Sequence, residues 1–265
     1  MFTSHISRIF NLSIIVAILL FLITNHYCFC MNFKSINGSL DNDFSLAVAT
    51  WYGSPSGSGS SGGACGFADD VEAPPYNGMI AAGNQFLFKS GQGCGNCYQV
   101  RCTENPSCSG TSTIVTITDE CPGSCNSDHV HFDLSGKAFG SLAKPDQADN
   151  LRNAGIINIQ YRSVRCHYNA SITFKIDSGS NPNYLAFTIE FVDGDGDIGA
   201  VQISSPNSQG WLAMQESWGA TWKVELPNGI KGPYSVKLTT IESKGTILAN
   251  NVIPANWAPG QHYHT

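Results

Sequence analysis

The chain has 265 residues, with 27 glycines, 12 prolines, ten cysteines, only 13% charged residues and a formal net charge of −6. An acidic chain without Lys/Arg clusters excludes nucleic acid and anionic lipid as partners. The length admits one large domain or two ordinary ones. β-branched runs set between Gly, Pro and Asn turns, with no long amphipathic helical period, give an all-β fold class.

In chain order, residues 1–30 read as a signal peptide. Arg8 precedes an apolar run from Ile14 to Ile23, followed by Cys28 and Cys30 at the cleavage positions. The run falls short of the ~20 residues of a membrane span, so a soluble, secreted mature protein without a transmembrane segment is expected. Residues 31–46 are polar and unpatterned and read as an N-terminal extension, with Asn37-Gly38-Ser39 as a glycosylation sequon. A strand is expected over 47–52, running into a Gly/Ser loop over 53–63. The alternating run 113–117 predicts another strand. Asp119 leaves its end, and Asp133 returns on the next one after a loop carrying Cys121 and Cys125.

Two carboxylates beside neighbouring strands can do acid/base chemistry on a sugar or only hydrogen-bond one. The competing reading makes Asp119 a turn residue that caps backbone amides. Asp133 then becomes a turn or helix-cap carboxylate, because a short helix can begin near Ser135. Inverting hydrolysis needs the two carboxyl groups roughly 6.5–9.5 Å apart, a distance that sequence does not contain.

Eight cysteines follow the leader: Cys65, Cys94, Cys97, Cys102, Cys108, Cys121, Cys125 and Cys166. An even number in an exported chain reads as disulfides. Cys94, Cys97, Cys121 and Cys125 also have spacings that can mimic a zinc site. No cysteine follows Cys166, which marks a domain boundary between an amino-terminal domain over 47–167 and a second over 171–265. Asn169-Ala170-Ser171, at the joint, is a second sequon.

Beyond the joint, short strands are expected over 172–176, 184–192, 198–203, 221–226, 234–240 and 246–253. Turns at Asn181-Pro182, Asp193-Gly194 and Asn228-Gly229 complete a β-sandwich rhythm. Asp193-Gly194-Asp195-Gly196-Asp197 looks like the start of a calcium loop. Ile198 stands where glycine is needed and Ser204 where glutamate is needed, so an exposed hairpin turn is expected. Neither a metal nor a cofactor is expected.

Trp51, Tyr52, Tyr184, Trp211, Trp218, Trp222 and Trp257 are candidates for stacking on sugar faces, although most tryptophans in sandwiches serve the core. Trp218 lies in the polar, glycine-broken Glu216-Ser217-Trp218-Gly219-Ala220 and is assigned to sugar. Trp222, inside a predicted strand, is assigned to the core.

Seven strings then occur in a familiar order: Ala49-Thr50-Trp51-Tyr52-Gly53, Gly62-Gly63-Ala64-Cys65-Gly66, Gly93-Cys94-Gly95-Asn96-Cys97-Tyr98, Thr116-Ile117-Thr118-Asp119, His131-Phe132-Asp133-Leu134-Ser135, Asn181-Pro182-Asn183-Tyr184-Leu185-Ala186 and Ser217-Trp218-Gly219-Ala220. Through them the chain resembles plant β-expansins, the group that includes the grass-pollen group-1 allergens, over nearly its whole mature length. The resemblance implies a six-stranded double-psi β-barrel, similar to that of family-45 endoglucanases, followed by an immunoglobulin-like β-sandwich that binds polysaccharide. It implies pairing of Cys65 with Cys94, Cys97 with Cys166 and Cys102 with Cys108, leaving Cys121 and Cys125 for a fourth bridge.

Carried over by position, Thr50, Tyr52, Asp119 and Asp133 line the barrel groove, with Asp133 matching the acid of the related hydrolases. Trp51, Tyr184 and Trp218 are the exposed aromatics of an open sugar-binding face. Those hydrolases carry their base just after the first strand, where residues 47–67 here contain no carboxylate and Ser54 stands near the required place. Many β-expansins also have an aspartate before Gly62-Gly63, where this chain has Ser60-Ser61.

The expected function is that of a secreted, monomeric plant cell-wall protein without a cofactor. It disrupts non-covalent contacts between cellulose and matrix glycans, such as glucuronoarabinoxylan, without hydrolysis. The alternatives are a weak glycan hydrolase or lytic transglycosylase, and a barwin-like wall-binding or defence module.

Overall fold

The computed structural model describes residues 44–265. The expected signal peptide, the Asn37 sequon and nearly all of the 31–46 extension lie outside the described residues. Six strands form a closed barrel: β1 (Ser45–Tyr52), β2 (Ile80–Gly83), β3 (Cys97–Arg101), β4 (Ser112–Glu120), β5 (His131–Ser135) and β6 (Ile157–Val164). Their spatial order is β1-β5-β2-β4-β3-β6, with β1–β5 and β2–β4 parallel and the other pairs antiparallel.

Strand β1 begins at Ser45, ahead of the expected 47. Its first half closes the barrel against β6, with Ser45 opposite Tyr161, while its second half pairs with β5. Alternation drives the interior: Ala49, Val100, Val115, Ile117, Phe132, Leu134 and Ile159 are buried, and Phe139, Leu142 and Leu151 close over them. Each such leucine or phenylalanine contributes about 1.5–3 kcal/mol. With Phe132 and Leu134 inward, Asp133 must face the other side. At the end of β5, Ser135 Oγ donates to Gly78 O (2.5 Å) and accepts from Ala138 N (3.0 Å), starting the short helix Gly136–Gly140.

The carboxyl-terminal region is a sandwich of two sheets. Its strands are β7 (Thr173–Ile176), β8 (Tyr184–Glu190), β9 (Ala200–Ser204), β10 (Leu212–Ala213), β11 (Gln215–Trp218), β12 (Thr221–Glu225), β13 (Tyr234–Thr239), β14 (Thr246–Ile253) and β15 (His262–His264). One sheet runs β11-β12-β8-β7-β15 and the other β10-β9-β13-β14. Phe174, Phe187, Ile189, Ile203, Trp222, Val236 and Leu238 fill the space between them. Strands β10 and β15, of two and three residues, are too short for alternation to reveal, and a bulge interrupts the alternation of β11.

The Asn181-Pro182 turn joins β7 and β8 as antiparallel neighbours, as expected. The Asp193–Asp197 segment is not the exposed hairpin turn expected of it, because β8 and β9 belong to different sheets. It is a crossover docked on the barrel: Asp197 is 1% exposed and accepts from Ile241 N at 2.9 Å, and Gly194 exchanges backbone hydrogen bonds with Cys166. The glycines permit this approach, since a Cβ on Gly196 (φ +79°) would strike Gly95 O and Cys166 Sγ.

Disulfides join Cys65 to Cys94, Cys97 to Cys166, Cys102 to Cys108 and Cys121 to Cys125. All four thiols of the zinc alternative are therefore consumed. Among the described residues no cluster of His, Cys, Asp and Glu is placed to hold a metal, and no helix is long and apolar enough to cross a membrane.

The barrel segment 64–70 rests on the outer face of the first sheet. Ala220 N donates to Cys65 O (3.1 Å), and Lys175 Nζ on β7 donates to Phe67 O (3.2 Å) and Asp70 Oδ2 (2.8 Å). Glu190 Oε1 lies 3.2 Å from the same ammonium, and its residue is 1% exposed.

Candidate functional site

Strand register assembles the acids. Thr50 lies opposite Asp133, Asp133 opposite Ala82, and Ala82 opposite Asp119. One row therefore crosses β1, β5, β2 and β4. Asp119 and Asp133 flank Ala82 from either side, two strand spacings or roughly 10 Å apart at the Cα atoms.

Thr50 Oγ1 donates to Asp133 Oδ1 at 2.6 Å and stands 2.9 Å from His131 Nε2. Its single proton is spent on the carboxylate, so His131 must be the donor to Thr50, which fixes the Nε2–H tautomer. The result is a directed chain from imidazole to hydroxyl to carboxylate. Burial lowers the His131 pKa against the opposing pull of Asp133; the chain requires a proton on Nε2, which the ring carries in this neutral tautomer and in the imidazolium alike. Burial raises the Asp133 pKa; the Thr50 bond and His131 hold it down, and the Asp119 charge adds to the rise. His131 was not singled out from the sequence. The alternation that separates Asp133 from Phe132 also puts residue 131 on the Asp133 face.

Tyr52 stands on the same face of β1, near both acids. Burial first, then the charges of Asp119 and Asp133, push its phenol well above the usual tyrosine range, so it remains a proton donor. Gly59 lies over its ring, where a Cβ would meet the phenol. Asp119 Oδ1 accepts from Ala64 N (2.7 Å) and Glu120 N (2.8 Å). The amide-capping role is therefore what the structure gives this side chain, and through it Asp119 ties the Gly/Ser loop to the barrel. Gly63 makes the approach possible, since a Cβ there would press on Thr118 O and the Asp119 side chain. Ser54 is exposed, accepts from Gly57 N (3.0 Å) through its carbonyl and closes over Gly136.

Trp51 departs from the exposed position expected of it. Alternation turns it away from Thr50 and Tyr52. It packs part-buried against the barrel core and donates from Nε1 to Arg152 O at 3.2 Å.

The other aromatics do share a face. On β12, Trp222 and Val224 turn into the core, leaving Thr221, Lys223 and Glu225 outward. Trp218 pairs with Thr221 and Tyr184 with Glu225 from opposite sides of β12, so on one outer face they are offset by four residues along the strand and two strand spacings across it, about 16 Å in all. A bulge between Glu216 and Trp218 re-aims the indole, which is 50% exposed. Its ring edge lies against Gly66 of the barrel, where a Cβ would strike it at 2.7 Å. Tyr184 lines an open depression of about 350 Å³ with Gln215, Lys223 and Glu225. The barrel covers the other end of this face, at Lys175, Glu190 and Thr221, so Trp218 marks the seam.

Residues 172–254 match the expansin C-terminal domain family and residues 80–161 the family described as lytic transglycolase. The chain is 47% identical to Arabidopsis thaliana expansin-B4 over 249 residues, 93% of this chain and 94% of that protein. It is 48% identical to Oryza sativa subsp. japonica expansin-B11 over 226 residues, 84% of this chain and 77% of that one. The chain belongs to the β-expansin family. Cell-wall loosening is accordingly its function. The barrel-plus-sandwich fold of this β-expansin is also that of apo Clavibacter michiganensis expansin, at a TM-score of 0.63 and 23% identity over 84% of this chain and 96% of that one.

Proposed function

We propose that this β-expansin loosens walls without cutting a glycosidic bond, by taking over hydrogen bonds and stacking contacts that hold matrix polysaccharide to cellulose. One observation carries the reading. Asp133 is half-buried and held by a hydrogen bond from Thr50, yet the strand and loop beside it, residues 47–67, bring hydroxyls and amides and no carboxylate. Loss of a general base forfeits roughly 100- to 10,000-fold in rate, and Asp119, committed to Ala64 N and Glu120 N, is poorly placed to replace it.

In this reading Asp133 accepts hydrogen bonds from glycan hydroxyls, Thr50 and Tyr52 position the chain, Asp119 shapes the loop, and Trp218 and Tyr184 stack on sugar faces. A point mutant of the matched bacterial expansin has been crystallised in complex with cellohexaose, which supports a linear glucan as one ligand. Glucuronoarabinoxylan is the matrix counterpart. The signal-peptide pattern over 1–30 and the disulfides support secretion to the wall.

Creep of isolated walls, measured together with released sugar ends, tests the proposal. Creep without new ends, diminished in Asp133→Asn, is the expected result; undiminished creep in that variant refutes the role of the acid. The lytic transglycolase match over residues 80–161 favours one rival, which predicts anhydro-sugars from glucan or arabinoxylan. Their accumulation in proportion to protein would replace the non-hydrolytic reading.

A further inference from the structure

The linker between β6 and β7 carries a motif that the groove does not use. Asn169-Ala170-Ser171 is a sequon without an intervening proline, and all three residues are exposed. Asn169 sits at φ +52°, a left-handed turn that asparagine tolerates. The stem below it is fixed: Cys166 is bridged to Cys97, and Tyr168 N donates to Asp193 Oδ1 at 2.7 Å. Beside the turn lies an open cleft of about 460 Å³. Pro74, Pro75 and Asn77, from the excursion between β1 and β2, form one wall, and His167 and Tyr168 form the other. Prolyl and tyrosyl faces offer apolar contact to a sugar ring, while Asn77 and His167 offer hydrogen-bonding groups. None of the groove acids or platform aromatics lines this cleft.

We propose that Asn169 carries an N-linked oligosaccharide whose first sugar seats in this cleft and ties the linker to the barrel. The inference rests on the secretory reading. In the transfer, Asn169 Nδ2 bonds to the anomeric carbon of a lipid diphosphate-linked oligosaccharide. The bond from that carbon to the diphosphate oxygen breaks, the amide proton goes to a base of the transferase, and the lipid diphosphate leaves. No oxidant or reductant is required. Seated in this way, the glycan restrains the segment on which barrel and sandwich meet.

The test is expression of the full chain in a secreting plant or yeast cell, followed by peptide mapping before and after peptide-N-glycosidase. The Asn37 sequon serves as the marker of passage through the secretory route. The expected result is a glycan at Asn169, lost in both Asn169→Gln and Ser171→Ala. Both variants should unfold at lower temperature and be cleaved faster in the linker than wild type, and Asn37→Gln should do neither. A secreted protein modified at Asn37 and bare at Asn169 overturns the inference alone. A glycan at Asn169 whose loss changes neither unfolding nor cleavage overturns its seating. Retention of the chain in the cell with both sequons bare overturns the secretory reading, and the inference with it.

Discussion

Thr50→Val removes one hydroxyl and little volume, and it cuts the hydrogen-bond chain at its centre. The wild-type bond to Asp133 Oδ1 is 2.6 Å long. Hydrogen bonds to charged groups contribute about 1.5–3 kcal/mol. Asp133 is part-exposed, so screening by solvent places the value near the lower end, ~1.5 kcal/mol, or about tenfold in the ionisation equilibrium. The sign follows from which form is bonded. Thr50 stabilises the carboxylate against burial, which already raises the Asp133 pKa; without the hydroxyl, the acid holds its proton to still higher pH. Carbon-13 NMR of the Asp133 carboxyl across pH measures this directly. Thr50→Val should move the transition upward, and Thr50→Ser should restore it. A transition in Thr50→Val that is unmoved, or moved to lower pH, refutes the chain from His131 through Thr50 to Asp133.

At the joint, Lys175→Met removes the donor to Phe67 O and Asp70 Oδ2 and the cation that opposes protonation of Glu190; Glu190 then takes up a proton, so the loss is that of the hydrogen bonds, about 1.5–3 kcal/mol in thermal or denaturant unfolding, with Lys175→Met/Glu190→Leu recovering part of it. Burial first, opposed by Lys175 and reinforced by Asp70, raises Glu190 to about 8 from 4.5, so its neutral form is favoured by folding. That contribution is complete below pH 4.5 and lost as pH rises through about 8. Glu190→Gln should therefore flatten the decline of stability with pH across this window, and a curve parallel to wild type would count against it. Trp218→Ala should weaken binding to insoluble glucan. About 100 Å² of free indole at about 25 cal/mol per Å² gives ~2.5 kcal/mol, or roughly 70-fold in affinity, and pull-down isotherms that overlay would remove Trp218 from the platform.

Local pattern made some of the site legible. The alternation of Phe132, Asp133 and Leu134 set the acid outward, and the contrast between a glycine-broken segment and a strand separated Trp218 from Trp222. The bond from Thr50 to Asp133 joins strands 83 residues apart through a parallel pairing that no short-range pattern encodes; alternation does set His131 beside Asp133, but its contact with Thr50 depends on that same pairing. The Asp193–Asp197 segment looked like a hairpin turn because turn residues mark a change of direction, not whether the chain returns to its own sheet. Trp51 was placed by position in a motif, and its contact with Arg152 depends on a helix a hundred residues later. The family resemblance, not periodicity, carried the barrel plan.

The meeting of Trp218 with Gly66 puts the indole at the junction of barrel and sandwich. A glycan chain stacked on that ring, as proposed above, would bear on the line where barrel and sandwich touch, a few residues from Ala220 and Cys65, whose backbones are bonded across the same line. Strain in the polymer network would then enter the protein at the contact between its two halves.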